Sequence, residues 1–493
     1  LADAVECYER ALALKPDHAE AHCNLGTALK EQVKLEEAVA AYRRAISIKP
    51  DYAEAFSNVL FCLNYDDKST PDALYAAHRE WDERYGRPAA RPMEYSNARE
   101  VGRRLRVGYV SGDFCRHSVA YFLEPLLRNH DHEAVEVFCY AEVAQPDAMT
   151  QSLRGFADHW LATVGMTDEA LAQRITEDGV DILFDLAGHT GKNRLRVFAR
   201  KPAPIQVTWL GYPNTTGLTS IDYRLVDAIT DPEGICDAFA SETLIRLDGG
   251  FLCYDPVADP PTPSPPPSLA AGVVTFGSFN NPAKISAVTL DVWAAVLVRE
   301  PRARLLLKGL PFADAGTRAS FLARLGGRGV AAERVELVAR LPDMADHLAL
   351  YNRVDIALDP FPYNGTTTTC EALWMGAPVV VQKGDRHAGR VGASLLSQIG
   401  LTDLIAYSAE EYVEIALRLA NDPARLSKLR HSLRPRMAAS SLGDGPAFAR
   451  KIEAALRTMW QRWCEASTHA ESRSGMASPT NPINQDASSH RIG

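Results

Sequence analysis

No apolar run in this chain is long enough to cross a bilayer, and no basic-then-apolar leader opens it. A membrane partner therefore has no support. Cysteine is sparse and unpatterned. The nine cysteines are scattered and nowhere spaced C-x-x-C, which argues against a disulfide framework or a thiolate zinc site and for a reducing, cytoplasmic setting. Positive charge is not in excess. The 53 Lys and Arg are outweighed by 62 Asp and Glu, a net charge of −9, so nucleic acid loses its electrostatic basis as a partner. Three phosphate or metal signatures are missing as well: no D-x-D pair, no GxxxxGK[ST] and no GxGxxG. The chain begins at Leu1 inside a helical pattern, without Met, and an upstream continuation is expected.

What is present begins with a repeat. Tyr8, Arg10, Ala11, Lys15, Pro16, Asp17, Ala19, Glu20, Ala21 and Asn24 recur as Tyr42, Arg44, Ala45, Lys49, Pro50, Asp51, Ala53, Glu54, Ala55 and Asn58. The offset is that of a tetratricopeptide repeat. Small alanines let paired helices approach, Pro16 and Pro50 are expected to start the second helix of each pair, and Gly26 suits a tight crossing. Asn24 and Asn58 are candidate contacts for a protein substrate. The repeats occupy 1–66, and a helical connector spans 67–100.

From Leu105 the pattern becomes βαβ. LRVGYVSGDF, VEVFCYAE, DILFDLAGH, IQVTWLGYP and YRLVDAITD are strand-like runs separated by helical stretches, as in a parallel sheet. A first Rossmann-like lobe is expected over 101–254. Seven prolines between Asp255 and Ser268 read as a semi-rigid linker, 255–271, free of helix. A second lobe, 272–440, repeats the rhythm with VVTFGSFN, ARLLLKGL, RVELVARL, VDIALDPF and APVVVQKG. Closing helix (441–467) and a polar, disordered tail (468–493) complete the layout. Two such lobes place a ligand crevice at the carboxyl ends of their strands.

Five segments carry candidate chemistry. In VDIALDPFPYNGTTTTCEALWMG, residues 354–376, a strand runs into Gly365, Thr366, Thr367 and Thr368 and then a helix. Free N–H groups and the dipole there suit a diphosphate, and Glu371, one turn on, suits ribose hydroxyls. In TFGSFNNPAKI, Asn280, Asn281 and Lys284 follow a strand, and Lys284 is placed to neutralise a leaving diphosphate. In YVSGDFCRHS, Asp113 and His117 follow another strand, with His117 a candidate general base. DILFDLAGHTGKN brings Asp185 and His189 to a further strand end, with Asp178 just before it. WLGYPNTTG offers Gly211, Tyr212 and Pro213 for a sugar or acceptor pocket.

These motifs, in this order, resemble the family containing protein O-GlcNAc transferase and the plant SPINDLY protein, and the chain is similar to its short, bacterial-type form over about residues 1–465. The resemblance implies a GT-B fold and an inverting, metal-independent transfer to Ser or Thr. Lys284 matches the family's essential diphosphate lysine, Thr367 and Thr368 its diphosphate threonines, and Asn281 a donor-site glutamine. His347 matches a histidine near the base, and the loop with Leu341 is the place for base recognition. His117 matches the histidine proposed as base, and Asp178 an acidic alternative. Thr366 and Glu371 depart from the animal enzyme's His and Asp. FPYNGTTTTCEALWMG, RKPAPIQVTWLGYPNTTGLTSIDYR and FLCY are closer to SPINDLY, which implies GDP-fucose. The expected function is GlcNAc transfer from UDP-GlcNAc to Ser/Thr of proteins held by the repeats, with no cofactor or metal. The alternatives are GDP-fucose-dependent O-fucosylation and a nucleotide-binding repeat scaffold without transfer.

Overall fold

The computed structural model describes residues 1–91, 94–257 and 259–474, with side chains followed to residue 466. Five helices lead the chain: α1 (Ala2–Leu14), α2 (Ala19–Glu31), α3 (Leu35–Ile48), α4 (Ala53–Leu63) and α5 (Pro71–Trp81). The first four are the two repeat copies. Their core is made of Val5, Cys23, Ala38, Tyr42, Ala45, Ala55 and Val59. A side chain at position 26 would enter the Tyr42 ring, 2.8 Å from an ideal Cβ, so Gly26 sets how closely α2 and α3 approach. The two prolines do not open helices. Pro16 and Pro50 lie in the turns, and α2 and α4 start later, at Ala19 and Ala53. Asn24 is exposed on α2, whereas Asn58 is half-buried and turned inward, its Nδ2 donating to Cys23 Sγ at 3.8 Å.

Helix α4 faces two ways. Ala55, Val59 and Cys62 fill the repeat core, while Phe56 and Leu60 join the core of the first lobe. The repeats are thereby fused to the lobe rather than tethered. The seam is polar as well as apolar. His189 Nε2 donates to Thr216 O at 2.8 Å and its Nδ1 accepts from the Ser57 hydroxyl at 3.0 Å. His78 Nδ1 donates to Leu74 O at 2.6 Å, and its Nε2 accepts from the Tyr212 hydroxyl at 2.7 Å. Tyr212 in turn accepts from Asn64 Nδ2 at 2.8 Å. Each imidazole uses one N–H and one lone pair, so both are neutral.

Burial holds His189 well below its ordinary range and His78 down to about 4. The folded pKa is depressed, so the unfolded chain binds more protons below pH 6.5 and stability is lost as pH falls. For His78 alone the loss between pH 6.5 and about 4 is about 3 kcal/mol. Denaturant titrations over this range should show a flatter pH dependence in His78→Gln. An unchanged slope would mean the imidazole is already protonated in the folded protein.

The first lobe is a seven-stranded parallel sheet: β1 (Leu105–Ser111), β2 (Val135–Ala141), β3 (His159–Ala162), β4 (Ile182–Asp185), β5 (Ile205–Thr208), β6 (Tyr223–Val226) and β7 (Thr243–Arg246), ordered 3-2-1-4-5-6-7. Val107 pairs with Val137 on one side and Ile182 on the other. The second lobe has six parallel strands: β8 (Thr275–Ser278), β9 (Arg304–Lys308), β10 (Val335–Val338), β11 (Ile356–Leu358), β12 (Val379–Gln382) and β13 (Ile405–Ala406), ordered 10-9-8-11-12-13. The strand order reverses between β1 and β4 and between β8 and β11, and such switch points open crevices at the carboxyl ends. With the repeats in front, the architecture is the expected GT-B pair of Rossmann-like lobes. Edge strands β3 and β7 and the two-residue β13 went unread because they are short and lack long apolar runs.

Two features of the linker and tail differ from expectation. Pro267 opens a short helix, Pro267–Ala271, because a missing N–H costs nothing in the first turn. The linker is also held to the second lobe, with Arg430 donating to Ser264 O at 2.7 Å and Arg434 to Pro261 O at 2.6 Å. The last helix runs from Gly445 to Ser474, past the expected end at 467, and crosses back to the first lobe. There Glu453 meets His130 at 2.8 Å, and Trp460 Nε1 donates to Glu100 O at 3.1 Å. The rest of the expected disordered tail, 475–493, lies outside the described residues.

Candidate active site

All five segments singled out in the sequence reach one cavity of about 520 Å³ between the lobes, and their convergence follows from the switch points. The loop after β1 brings Asp113, His117, Ser118 and Val119, and the loop after β4 brings Thr190, Gly191 and Lys192. Leu210 and Gly211 follow β5. From the other lobe come Asn280, Asn281 and Lys284 after β8, and Tyr363, Thr366, Thr367 and Thr368 after β11. Phe61 and Tyr65 add a wall from the repeats. The Tyr65 ring stacks on Tyr363, 5.3 Å between centroids.

The second-lobe wall is built for an anion. Helix Thr367–Trp374 starts at Thr366 with no side-chain cap, which leaves its first amides open to the cavity. Lys284 ends the short turn Pro282–Lys284. Its ammonium donates to Asn364 O at 2.8 Å and lies 3.9 Å from the centroid of the Tyr363 ring. Burial pulls it down to about 8, opposed by the charge of Asp359. The Thr368 hydroxyl donates to Asn280 Oδ1 at 2.8 Å, which ties the two anion-facing loops together.

On the opposite wall, His117 Nδ1 accepts from Val119 N at 3.3 Å and is 3.5 Å from Asp113 Oδ2. With its lone pair on Nδ1 the neutral ring carries its N–H on Nε2, so Nδ1 is the nitrogen that can receive a proton. Burial pushes the Asp113 carboxyl up, against the opposing charges of His117 and Lys192. Asp185, by contrast, works internally: it accepts from Gly188 N at 2.9 Å and from the Thr208 hydroxyl at 2.8 Å.

Several expected site residues do not line this cavity. Asp178 caps helix Asp168–Glu177, paired with Arg174 at 2.9 Å and bound by the Tyr140 hydroxyl at 2.8 Å. It precedes β4, so it sits at the amino edge of the sheet, away from the cavity, and cannot serve as the base. His189 and Tyr212 point into the seam with α4 and α5, and Pro213 is half-buried beside them, so none of the three lines the cavity. Gly365 lies behind the threonines, its N–H donating to Asp359 at 2.8 Å. Glu371, buried on the helix Thr367–Trp374, and His347 are bound to each other at 3.0 Å, while Lys308 donates to His347 at 2.8 Å. Leu341 packs against the lobe core. Lys192, Tyr363, Phe61 and Tyr65 were missed. The first two stand inside motifs already noted, and the latter pair reaches the cavity only through tertiary packing. Among the described residues, no group of three or more His, Cys, Asp or Glu is placed to hold a metal ion, and no helix is long and apolar enough to cross a membrane.

The model of glycosyl transferase family 41 matches residues 87–257 and 267–452. The chain belongs to this family. A tetratricopeptide-repeat model matches residues 1–53 of this family 41 chain. The probable UDP-N-acetylglucosamine–peptide N-acetylglucosaminyltransferase SPINDLY of Petunia hybrida is 44% identical over 412 residues, 83% of this chain and 44% of that one. The Arabidopsis thaliana protein of the same description named SEC is 32% identical over 79% of this chain and 41% of that one. The family 41 chain thus spans less than half the length of these curated relatives. Among solved structures, a mutant O-GlcNAc transferase of Thermobaculum terrenum superposes with a TM-score of 0.90 at 40% identity, covering 94% of this chain and 88% of that one.

Proposed function

We propose that the chain transfers GlcNAc from UDP-GlcNAc to Ser or Thr hydroxyls of proteins, with inversion and without a metal. The observation that carries this reading is the desolvated Lys284 ammonium beside the uncapped start of helix Thr367–Trp374. Together they form a positive seat for a diphosphate on the wall facing His117. The acceptor hydroxyl attacks the anomeric carbon from the face opposite the diphosphate. The new C–O bond forms as the bond to the β-phosphate oxygen breaks, and the hydroxyl proton passes to His117. Charge grows on the departing diphosphate, where Lys284, the Thr367 and Thr368 hydroxyls and the helix amides stabilise it. The names of the Petunia and Arabidopsis relatives support this donor and a peptide acceptor, and that of the Thermobaculum structure supports GlcNAc as the sugar. The repeats, fused at the cavity rim through Phe61 and Tyr65, are in place to present that acceptor.

Calorimetry with UDP-GlcNAc and GDP-fucose in EDTA tests the donor. UDP-GlcNAc is expected to bind without added divalent ions. A preference for GDP-fucose would change the sugar and base and leave the chemistry standing. Binding that requires a divalent ion would overturn metal independence.

A further inference from the structure

Asp359 lies beneath the threonine turn, and the transfer chemistry described above does not use it. It follows the last residue of β11 and is 1% exposed. Its backbone is fixed from two sides: the N–H donates to Val380 O at 3.0 Å and the carbonyl accepts from the Tyr412 hydroxyl at 3.1 Å. Oδ1 accepts from Gly365 N at 2.8 Å and from Asn280 Nδ2 and the Thr369 hydroxyl, both at 3.4 Å. Because Asn280 also receives the Thr368 hydroxyl at 2.8 Å, this one oxygen anchors both anion-facing loops. Oδ2 is buried with no hydrogen-bond partner. It occupies room left by Gly392, where a Cβ would come within 2.9 Å of it. A carboxylate oxygen buried without a donor is costly unless a charge compensates it.

We propose that Asp359 is a positioning residue: it holds the threonine turn in place and, through space, supplies the countercharge that keeps Lys284 an ammonium ready for the diphosphate. This rests on the donor-site reading given above. The two groups bear on each other in both directions. Burial pulls the Lys284 ammonium down, and the Asp359 charge opposes that. Burial likewise pushes Asp359 up to about 7, opposed by the Gly365 N–H and then by Lys284. Across the cavity Asp113 is engaged by His117 and faces Lys192, and the ionisable groups packed around the pair do not replace either partner. Tyr351, Tyr363 and Tyr412 are pushed up by burial and stay neutral, Cys370 likewise, and Glu371 is engaged by His347.

The sign of the effect is fixed. Without the Asp359 charge, Lys284 loses its proton at lower pH, so donor binding fails at lower pH. Calorimetry of UDP-GlcNAc and GDP-fucose against the wild-type chain and D359N, from about pH 6 to about pH 9, reads this directly, since a one-unit shift is about tenfold in affinity. For the donor that binds, the affinity deficit of D359N is expected to widen about tenfold as pH rises, with the melting temperature retained. A deficit constant with pH, while Lys284→Ala still abolishes binding, overturns this inference and leaves the donor site standing. A wild-type chain that binds neither sugar nucleotide overturns both. Should D359N not fold, the reciprocal effect decides: Lys284→Met must raise the titration midpoint of one aspartate, followed by carbon NMR of aspartate-labelled protein, and no shifted aspartate overturns the proposal.

Discussion

Lys284→Ala is expected to lower turnover of the sugar nucleotide by about a hundred- to a thousandfold, the range for removing one preorganised charge from a developing oxyanion. The group is already desolvated, so its interaction with a diphosphate is stronger than in water. It also needs little reorganisation, because Asn364 O and the Tyr363 ring hold it before any ligand arrives. The fold should scarcely notice the change. The substitution deletes a charge whose burial is itself costly, and Asp359, already pushed up to about 7, can take a proton when its counterion is gone. Turnover measured by nucleotide release, beside a thermal melt, separates the two effects. Near-normal turnover in a folded variant would sink the donor-site assignment.

The second large effect concerns the repeats. Deleting residues 1–48 removes α1–α3 but keeps α4 and α5 on the first lobe, and donor binding is expected to stay within about threefold, since no residue of the second-lobe wall is touched. Deleting residues 1–66 is expected to abolish the folded enzyme. It strips Phe56 and Leu60 from the lobe core, each contributing about 1.5–3 kcal/mol by burial. It also removes Ser57 from His189 and Asn64 from Tyr212, and buried bonds of this kind cost about 1–3 kcal/mol each when one partner is lost. The sum is comparable with the whole stability of a domain, about 5–15 kcal/mol. Circular dichroism melts of the two truncations decide the matter. A 67–493 chain that melts like the intact protein would show the repeats to be an appended arm.

Much of the site was legible because its residues fall directly after strands. Strand runs such as LRVGYVS and VDIALD are apolar on both faces, as in sheets covered on both sides, and the polar residues that end them must emerge at the carboxyl edge. That reasoning located Asp113, His117, Asn280, Asn281, Lys284 and the threonines. It failed where a strand-end residue has two directions to choose between. His189 follows β4 as His117 follows β1, but α4 and α5 cover that side, and the imidazole turns to Ser57 and Thr216 instead of the cavity. Asp178, given a role only by resemblance, precedes β4 and lands at the opposite edge.

By itself the sequence determined the repeat period, the two βαβ series, the loops that carry the chemistry and the family, because periodicity and local motif are short-range properties of the chain. Only the tertiary structure decided which strand ends face one another, that α4 belongs to two cores at once, and that Asp359 lies under the threonine turn within the field of Lys284. Those facts depend on burial and on charges brought together from positions 75 residues apart in the chain, and burial is what moves a lysine or an aspartate from its ordinary pKa.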